Sequence, residues 1–180
     1  MQFPFGLAGI FLARWNARRF GKRKALLAVL VLGAIAYGSS WWVLVPGVAW
    51  TLLVNSALTI VATTGLWVLA PSMTMDVIDN AELHSGQRRE GAFNSWLSWS
   101  VKISLALSGL ASGLILEATG FRASLGAGQP PAAIWWIRVL LVAIPSAAAL
   151  GGIVLLVFYP LSQRRVQALR LALESKRGQV

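Results

Sequence analysis

A chain of 180 residues has the length of one domain, yet 57% of it is hydrophobic and only 12% is charged. That is about half the charge of an ordinary soluble domain, and the 16 basic residues outnumber the 6 acidic ones for a formal net charge of +10. With no cysteine and one histidine, His84, disulfide frameworks, thiolate metal sites, cysteine nucleophiles and multi-histidine zinc sites are excluded, and the composition is that of an integral membrane protein.

In chain order, residues 1–13 are apolar but too short to cross a bilayer. No charged segment precedes them, as it would in a secretory signal, so they read as the end of a longer helix. Four later stretches are long enough to span: about 25–45, 50–75, 92–116 and 134–158. The segment Arg14–Lys24 carries six basic residues and the turn around Pro46 carries none. Loop 76–91 has two, Arg88 and Arg89; loop 117–133 has one, Arg122; the tail after Pro160 has five. That alternation is the positive-inside pattern, with residues 14–24, 76–91 and the tail in the cytoplasm. Basic residues that flank spans do not make a groove-facing patch, which removes nucleic acid as a partner. Trp41, Trp42, Trp50, Trp135 and Trp136 fall at the outer ends of spans, where amphipathic rings settle at headgroup level. Gly126, Gly128, Pro130 and Pro131 mark an extracellular turn. In the tail, residues 160–180, Val166, Leu169 and Leu173 share one helical face and Arg164, Arg165 and Arg170 lie elsewhere. The spacing suits either an amphipathic helix on the inner membrane surface or a solvated basic tail.

Polar groups inside spans need a reason. Asn55, Thr59, Thr63 and Trp67 recur every four residues along one helix face, either as interhelical hydrogen-bonding glue or as a functional stripe. Trp67 lies nine residues before Asp76, about 13 Å inside the cytoplasmic end. Its face suits a sugar ring or a cation; lipid contact or core packing is the alternative. Lys102 lies about 15 Å deep in the third span, with Ser95 and Ser98 on its side of the helix. An intramembrane charge is costly unless it is paired or lines a wet cavity, and none of the spans offers a carboxylate at that depth. Gly109 and Gly113 are a small-xxx-small pair suited to close helix packing. Asp76, Asp79 and Glu82 follow at i, i+3 and i+6, and Arg88 and Glu90 come after a glycine turn. They form either a solvated loop or a charge network that opens and closes.

Trp67, then Asp76-x-x-Asp79-x-x-Glu82, then Gly86-x-Arg88-x-Glu90-Gly91, then Lys102 resemble the signature of the glycoside–pentoside–hexuronide:cation symporters, the melibiose-permease branch of the major facilitator superfamily. Arg18-Arg19-Phe20-Gly21-Lys22-Arg23 is similar to that family's loop before the ninth helix. The family usually has Tyr-Gly where this chain has Asn80-Ala81. The resemblance covers essentially the whole chain. It implies an all-α integral membrane fold containing the end of helix 8, helices 9–12 of a twelve-helix carrier and a cytoplasmic tail. It further implies that Trp67, Ser98 and Lys102 bind substrate, with Lys102 also beside the cation site, and that Asp76, Asp79, Glu82, Arg88 and Glu90 form a cytoplasmic gate network. No metal or organic cofactor is implied; the coupling ion is sodium or a proton.

The expected function is therefore part of a cation-coupled symporter of sugars, glycosides or related polar solutes, multi-pass in the inner (plasma) membrane. Its expected partners are the solute, membrane lipid and the N-terminal half of the carrier, whose carboxylates Lys102 needs; alone, the chain is expected to be inactive. Two readings from other classes compete. One is a small accessory membrane subunit. The other is a membrane CDP-alcohol phosphotransferase, which would need Gly and then Ala-Arg after the first acid pair and a second acid pair for its metals. Here Asn80-Ala81-Glu82 follows and no second pair appears before Lys102.

Overall fold

A computed structural model describes residues 3–43, 49–126, 128–161 and 163–178; the turn around Pro46 and residue Ala127 lie outside them. Among the described residues six helices follow one another: α1 Phe3–Phe20, α2 Lys22–Val43, α3 Ala49–Ser85, α4 Glu90–Ala118, α5 Pro131–Val157 and α6 Gln163–Arg177. A single 3-10 turn, Ala123–Leu125, interrupts the α4–α5 connection. The protein is thus an all-α membrane protein, with α2, α3, α4 and α5 each long and apolar enough to span.

Four long apolar helices are present, as hydropathy expects, but the helices do not stop where hydropathy stops. The basic stretch from Arg14 is not a loop: α1 runs through Arg19 to Phe20. Gly21 alone separates it from α2, at φ +87°, a conformation in which L side chains are strained. A Cβ there would also lie 2.6 Å from Gln163 Oε1, the movable end of a side chain, so it is the backbone that requires glycine. Likewise α3 continues through Asp76, Asp79 and Glu82 to Ser85. The expected loop 76–91 shrinks to the few residues between Ser85 and Glu90, turning at Gly86 with φ +68°. A change to polar residues marks where a helix leaves the membrane; α1 and α3 end instead at a glycine in the left-handed region, Gly21 and Gly86.

α2 is the hub, packed against α1, α3 and α5, with α1 also on α3. Ala13, Ala25, Leu26, Leu69, Met73 and Leu156 form the buried core. Small residues bring these helices together, as is usual where lipid removes the hydrophobic drive: a Cβ on Gly9 would lie 3.1 Å from the Val61 carbonyl oxygen, and one on Gly65 2.8 Å from Val29 Cγ2. Gly109 and Gly113 do not pack in this way. Nothing lies within 4 Å of the Cβ position at either, and no residue of α4 is buried. Their pattern is suited to a helix that the described residues do not supply.

Half of the polar stripe on α3 is glue. Asn55 Nδ2 donates to the Ala36 carbonyl (2.8 Å) and to Ser39 Oγ (3.3 Å), while Ser40 Oγ donates to Asn55 Oδ1 at 3.1 Å. Such interhelical bonds contribute about 0.6–2 kcal/mol each. Thr63 meets Tyr37 across the same seam at 3.4 Å, whereas Thr59 bonds back to Asn55 O in its own helix.

Arg138 was not weighed by the sequence reading, although it lies about 10 Å inside α5. Its Nη2 donates to the Trp41 carbonyl, and its guanidinium carbon is 5.0 Å from the Trp41 ring centroid. That carbonyl belongs to the last turn of α2, where carbonyls lack intrahelical donors and the helix dipole is negative. An intramembrane cation here is held by a helix end and an aromatic face. Around it, Trp42, Trp50 and Trp135 are exposed, as a headgroup belt requires.

At the other end, α6 packs against α3. Leu169 and Leu173 are buried, so this face of the amphipathic tail is spent on protein contacts and not left open for lipid.

Candidate functional site

The acids and arginines at the basic end divide into two groups. Asp76, carried past the span by the continuing α3 helix, is only 2% exposed. Its partner is Lys22 in the first turn of α2, whose Nζ lies 2.7 Å from both carboxylate oxygens and donates to the Ser72 carbonyl at 2.9 Å. Arg88 forms the second group, 3.0 Å from Glu90 and 3.6 Å from Glu82. Its pKa is raised by the hydrogen bond it donates to Glu90 and then by that residue's charge, with smaller effects from Glu82 and Asp79. Among the described residues the ion pairs fall into two sets, Lys22 with Asp76 and Arg88 with Glu82 and Glu90, and Asp79 acts on Arg88 through its charge. Lys22 was missed because it had been counted only as one of six orientation charges; its place at the start of a span, fifty-four residues before Asp76, gave no pairing signal.

Tyr159, just past α5, lies close enough to feel the same carboxylate. Burial, and then the Asp76 charge, push its pKa up to about 12; its hydroxyl is buried without a hydrogen-bond partner. The unfolded chain ionises tyrosine near 10, so the neutral phenol favours the folded state below pH 10, and that contribution is lost as pH rises through about 12. The chain has two tyrosines. Absorbance at 295 nm should show a late ionisation that Tyr159→Phe removes; a phenol ionising near pH 10 in the folded protein would contradict this environment.

Trp67, Ser98 and Lys102 stand apart from this cluster. Trp67 is 65% exposed on α3, and Ser98 and Lys102 are exposed on α4. No hydrogen bond, ion pair or cation–π contact joins the three among the described residues, and Lys102 has no counter-charge there. A large cavity of 950 Å³ lies elsewhere, between α2, α3, α4 and α5, and includes Tyr37, Ser40, Asn55, Thr59, Ser104 and Ser108 in its wall but none of those three residues.

A family described as MFS/sugar transport protein matches residues 3–163. The chain belongs to that family. Relatives of this MFS chain include an uncharacterized symporter of Synechocystis sp., 30% identical over 176 residues, or 95% of this chain and 32% of that protein. An isoprimeverose transporter of Lactiplantibacillus pentosus is 30% identical over 122 residues, 66% of this chain and 25% of that protein. A putative glycoside/cation symporter of Escherichia coli is 34% identical over 97 residues, 54% of this chain and 21% of that protein. The chain thus spans no more than about a third of the length of these relatives. No solved structure matches. Membership in a transporter family answers the enzyme alternative: this is an MFS transporter sequence, not a phosphotransferase.

Proposed function

We propose that this chain is part of a cation-coupled symporter of sugars, glycosides or related small polar solutes, working by alternating access around a midplane site. The observation that carries this reading is Lys102, a cation in the middle of an apolar helix with no carboxylate against it among the described residues, on a helix none of whose residues is buried. A charge at that depth is retained only for a partner or a wet cavity, and the exposed side of α4 leaves room for both. The counter-charge belongs to the remainder of the carrier, and the chain alone neither couples nor transports.

In the assembled carrier Trp67, Ser98 and Lys102 line the solute site. By helical rise Trp67 lies about 27 Å from the end of α3 at Ser85, and Lys102 about 18 Å from the start of α4 at Glu90, so a solute held by both bridges a step of about 9 Å along the helices. Names of relatives that include an isoprimeverose transporter and a glycoside/cation symporter support a sugar-like cargo. A solute-binding titration on the full-length carrier tests this. Trp67→Phe should keep part of the stacking and weaken affinity less than Trp67→Ala, while Trp135→Ala at the belt should change it little. Equal losses at Trp67 and Trp135 would remove Trp67 from the site.

The basic flanks face the cytoplasm of the cell that carries the protein in its inner membrane, with Lys22–Asp76 and Arg88–Glu82–Glu90 as two separate clasps of the cytoplasmic gate. Cysteines placed at Ser85 and Ala127 should react with impermeant reagent from opposite sides; labelling of both from one side contradicts the orientation.

A further inference from the structure

A second cavity, 180 Å³ in volume, lies at the basic end between α1, α2, α3, α6 and the segment that joins α5 to α6. Its wall includes Arg18, Lys22, Arg23, Tyr159, Gln163 and Gln167, together with the Asp76 carboxylate. Three cations against one anion leave the wall with an excess of positive charge. Lys22 neutralises Asp76 directly, which leaves the two arginines to act on anything inside. Arg23 donates through Nη2 to the Val157 carbonyl; Arg18 has no hydrogen bond or ion pair among the described residues. The Tyr159 hydroxyl is buried and unpartnered, and burial keeps it protonated and able to donate. The side chains of Gln163 and Gln167, exposed like Arg18, add further donors at its mouth. Among these donors the Tyr159 hydroxyl is the buried one, and a buried donor without an acceptor is costly.

We infer that this cavity is a binding site for the phosphate headgroup of an anionic phospholipid. At 180 Å³ it is well above the about 10–15 Å³ that one water needs, enough room for a tetrahedral phosphodiester with some waters retained. Phosphate oxygens supply the acceptors that Arg18, Tyr159 and the glutamine amides lack, and charge-assisted bonds of this kind are the strong ones. A lipid source follows from the position. The cavity lies where α2 begins and α5 ends, both of them spans, and so at the boundary where headgroups stand. Beside it, Trp15 and Phe20 are exposed and pack edge-to-face, with the Arg19 guanidinium 5.4 Å from the Trp15 ring; amphipathic aromatics and arginines of this kind mark an interface. Basic pockets between membrane helices are suited to anionic headgroups. A bound headgroup would join α1 to α6 across the Lys22–Asp76 pair.

The site does not depend on the transport reading and is tested without it. Dioctanoyl phosphatidylglycerol, dioctanoyl phosphatidylcholine and sodium phosphate are titrated in turn onto the purified chain and followed by native mass spectrometry. Phosphatidylglycerol should bind at least about tenfold more tightly than phosphatidylcholine, and Arg18→Gln and Tyr159→Phe should each weaken it by about tenfold, the scale of one hydrogen bond to a charged group. Arg14→Gln, an exposed change elsewhere on α1, should leave binding as it was. Tyr159→Phe keeps the ring and its packing, and helix content by circular dichroism confirms that each variant is folded. Equal binding of the two lipids, or no effect of Arg18→Gln and Tyr159→Phe beyond that of Arg14→Gln, would overturn the site. Inorganic phosphate binding as tightly as phosphatidylglycerol would overturn the lipid assignment, since the acyl chains would then contribute nothing.

Discussion

Lys22→Met should destabilise the protein by about 3–5 kcal/mol, the cost of breaking a buried ion pair from one side. Asp76 is 2% exposed and receives Lys22 on both of its oxygens at 2.7 Å, so bulk water does not replace the lost ammonium. The reverse change, Asp76→Asn, should cost less. Lys22 is 26% exposed and can turn its long stem toward water. The double variant Lys22→Met, Asp76→Leu should recover most of the loss, because a buried ion pair exchanged for apolar groups of similar size is often near neutral. Denaturation in mixed micelles measures all three. A single-variant loss under about 1 kcal/mol, the scale of an exposed pair, would mean that the pair is solvated.

The second large effect concerns Lys102. In the full-length carrier, Lys102→Gln should reduce gradient-driven uptake to background, because the acids that face the lysine would be left unpaired in a poorly solvated site. Lys102→Arg keeps the charge but brings a planar, bulkier head, and should retain binding better than coupling. Uptake in membrane vesicles reads the effect, with expression level as the control. Wild-type coupling in Lys102→Gln would show that the lysine snorkels or faces lipid, and would remove it from the site.

Much of the fold was legible because spanning a bilayer imposes a length and a composition. All four spans could be read from their apolar runs, and a helical tail from the spacing of Leu169 and Leu173. Helix ends were less legible. Hydropathy follows the solvent, whereas helix termination follows backbone conformation, so the ten residues of α3 from Asp76 to Ser85 read as a loop until the turn at Gly86 was located. The spacing of the three acids at i, i+3 and i+6 was the available sign that the helix continues.

The site was legible in its residue types and less so in its pairings. Asn55 was recognisable as a polar group needing a partner, and it has several, all on α2. The carboxylate of Asp76 was recognisable as part of a charge network, but its partner had to be found fifty-four residues away, among six basic residues that composition cannot tell apart. Arg138 was overlooked for the opposite reason. Its compensation is a helix terminus and an indole face, neither of which appears in a search for opposite charges. Lys102 was singled out by depth alone, and the exposed α4 helix has no carboxylate against it among the described residues.

The central claim is that this chain supplies one portion of a coupled carrier. Uptake of labelled glycosides into proteoliposomes under an imposed sodium or proton gradient tests it most directly. It is run with the 180-residue chain alone, with the chain co-reconstituted with the N-terminal half of a family carrier, and with a full-length carrier containing the chain. The account predicts no accumulation by the chain alone, and uphill accumulation by the full-length carrier that collapses when the gradient is dissipated, with co-reconstitution restoring part of it. Gradient-driven accumulation by the chain alone, or full-length uptake indifferent to both gradients, would contradict it.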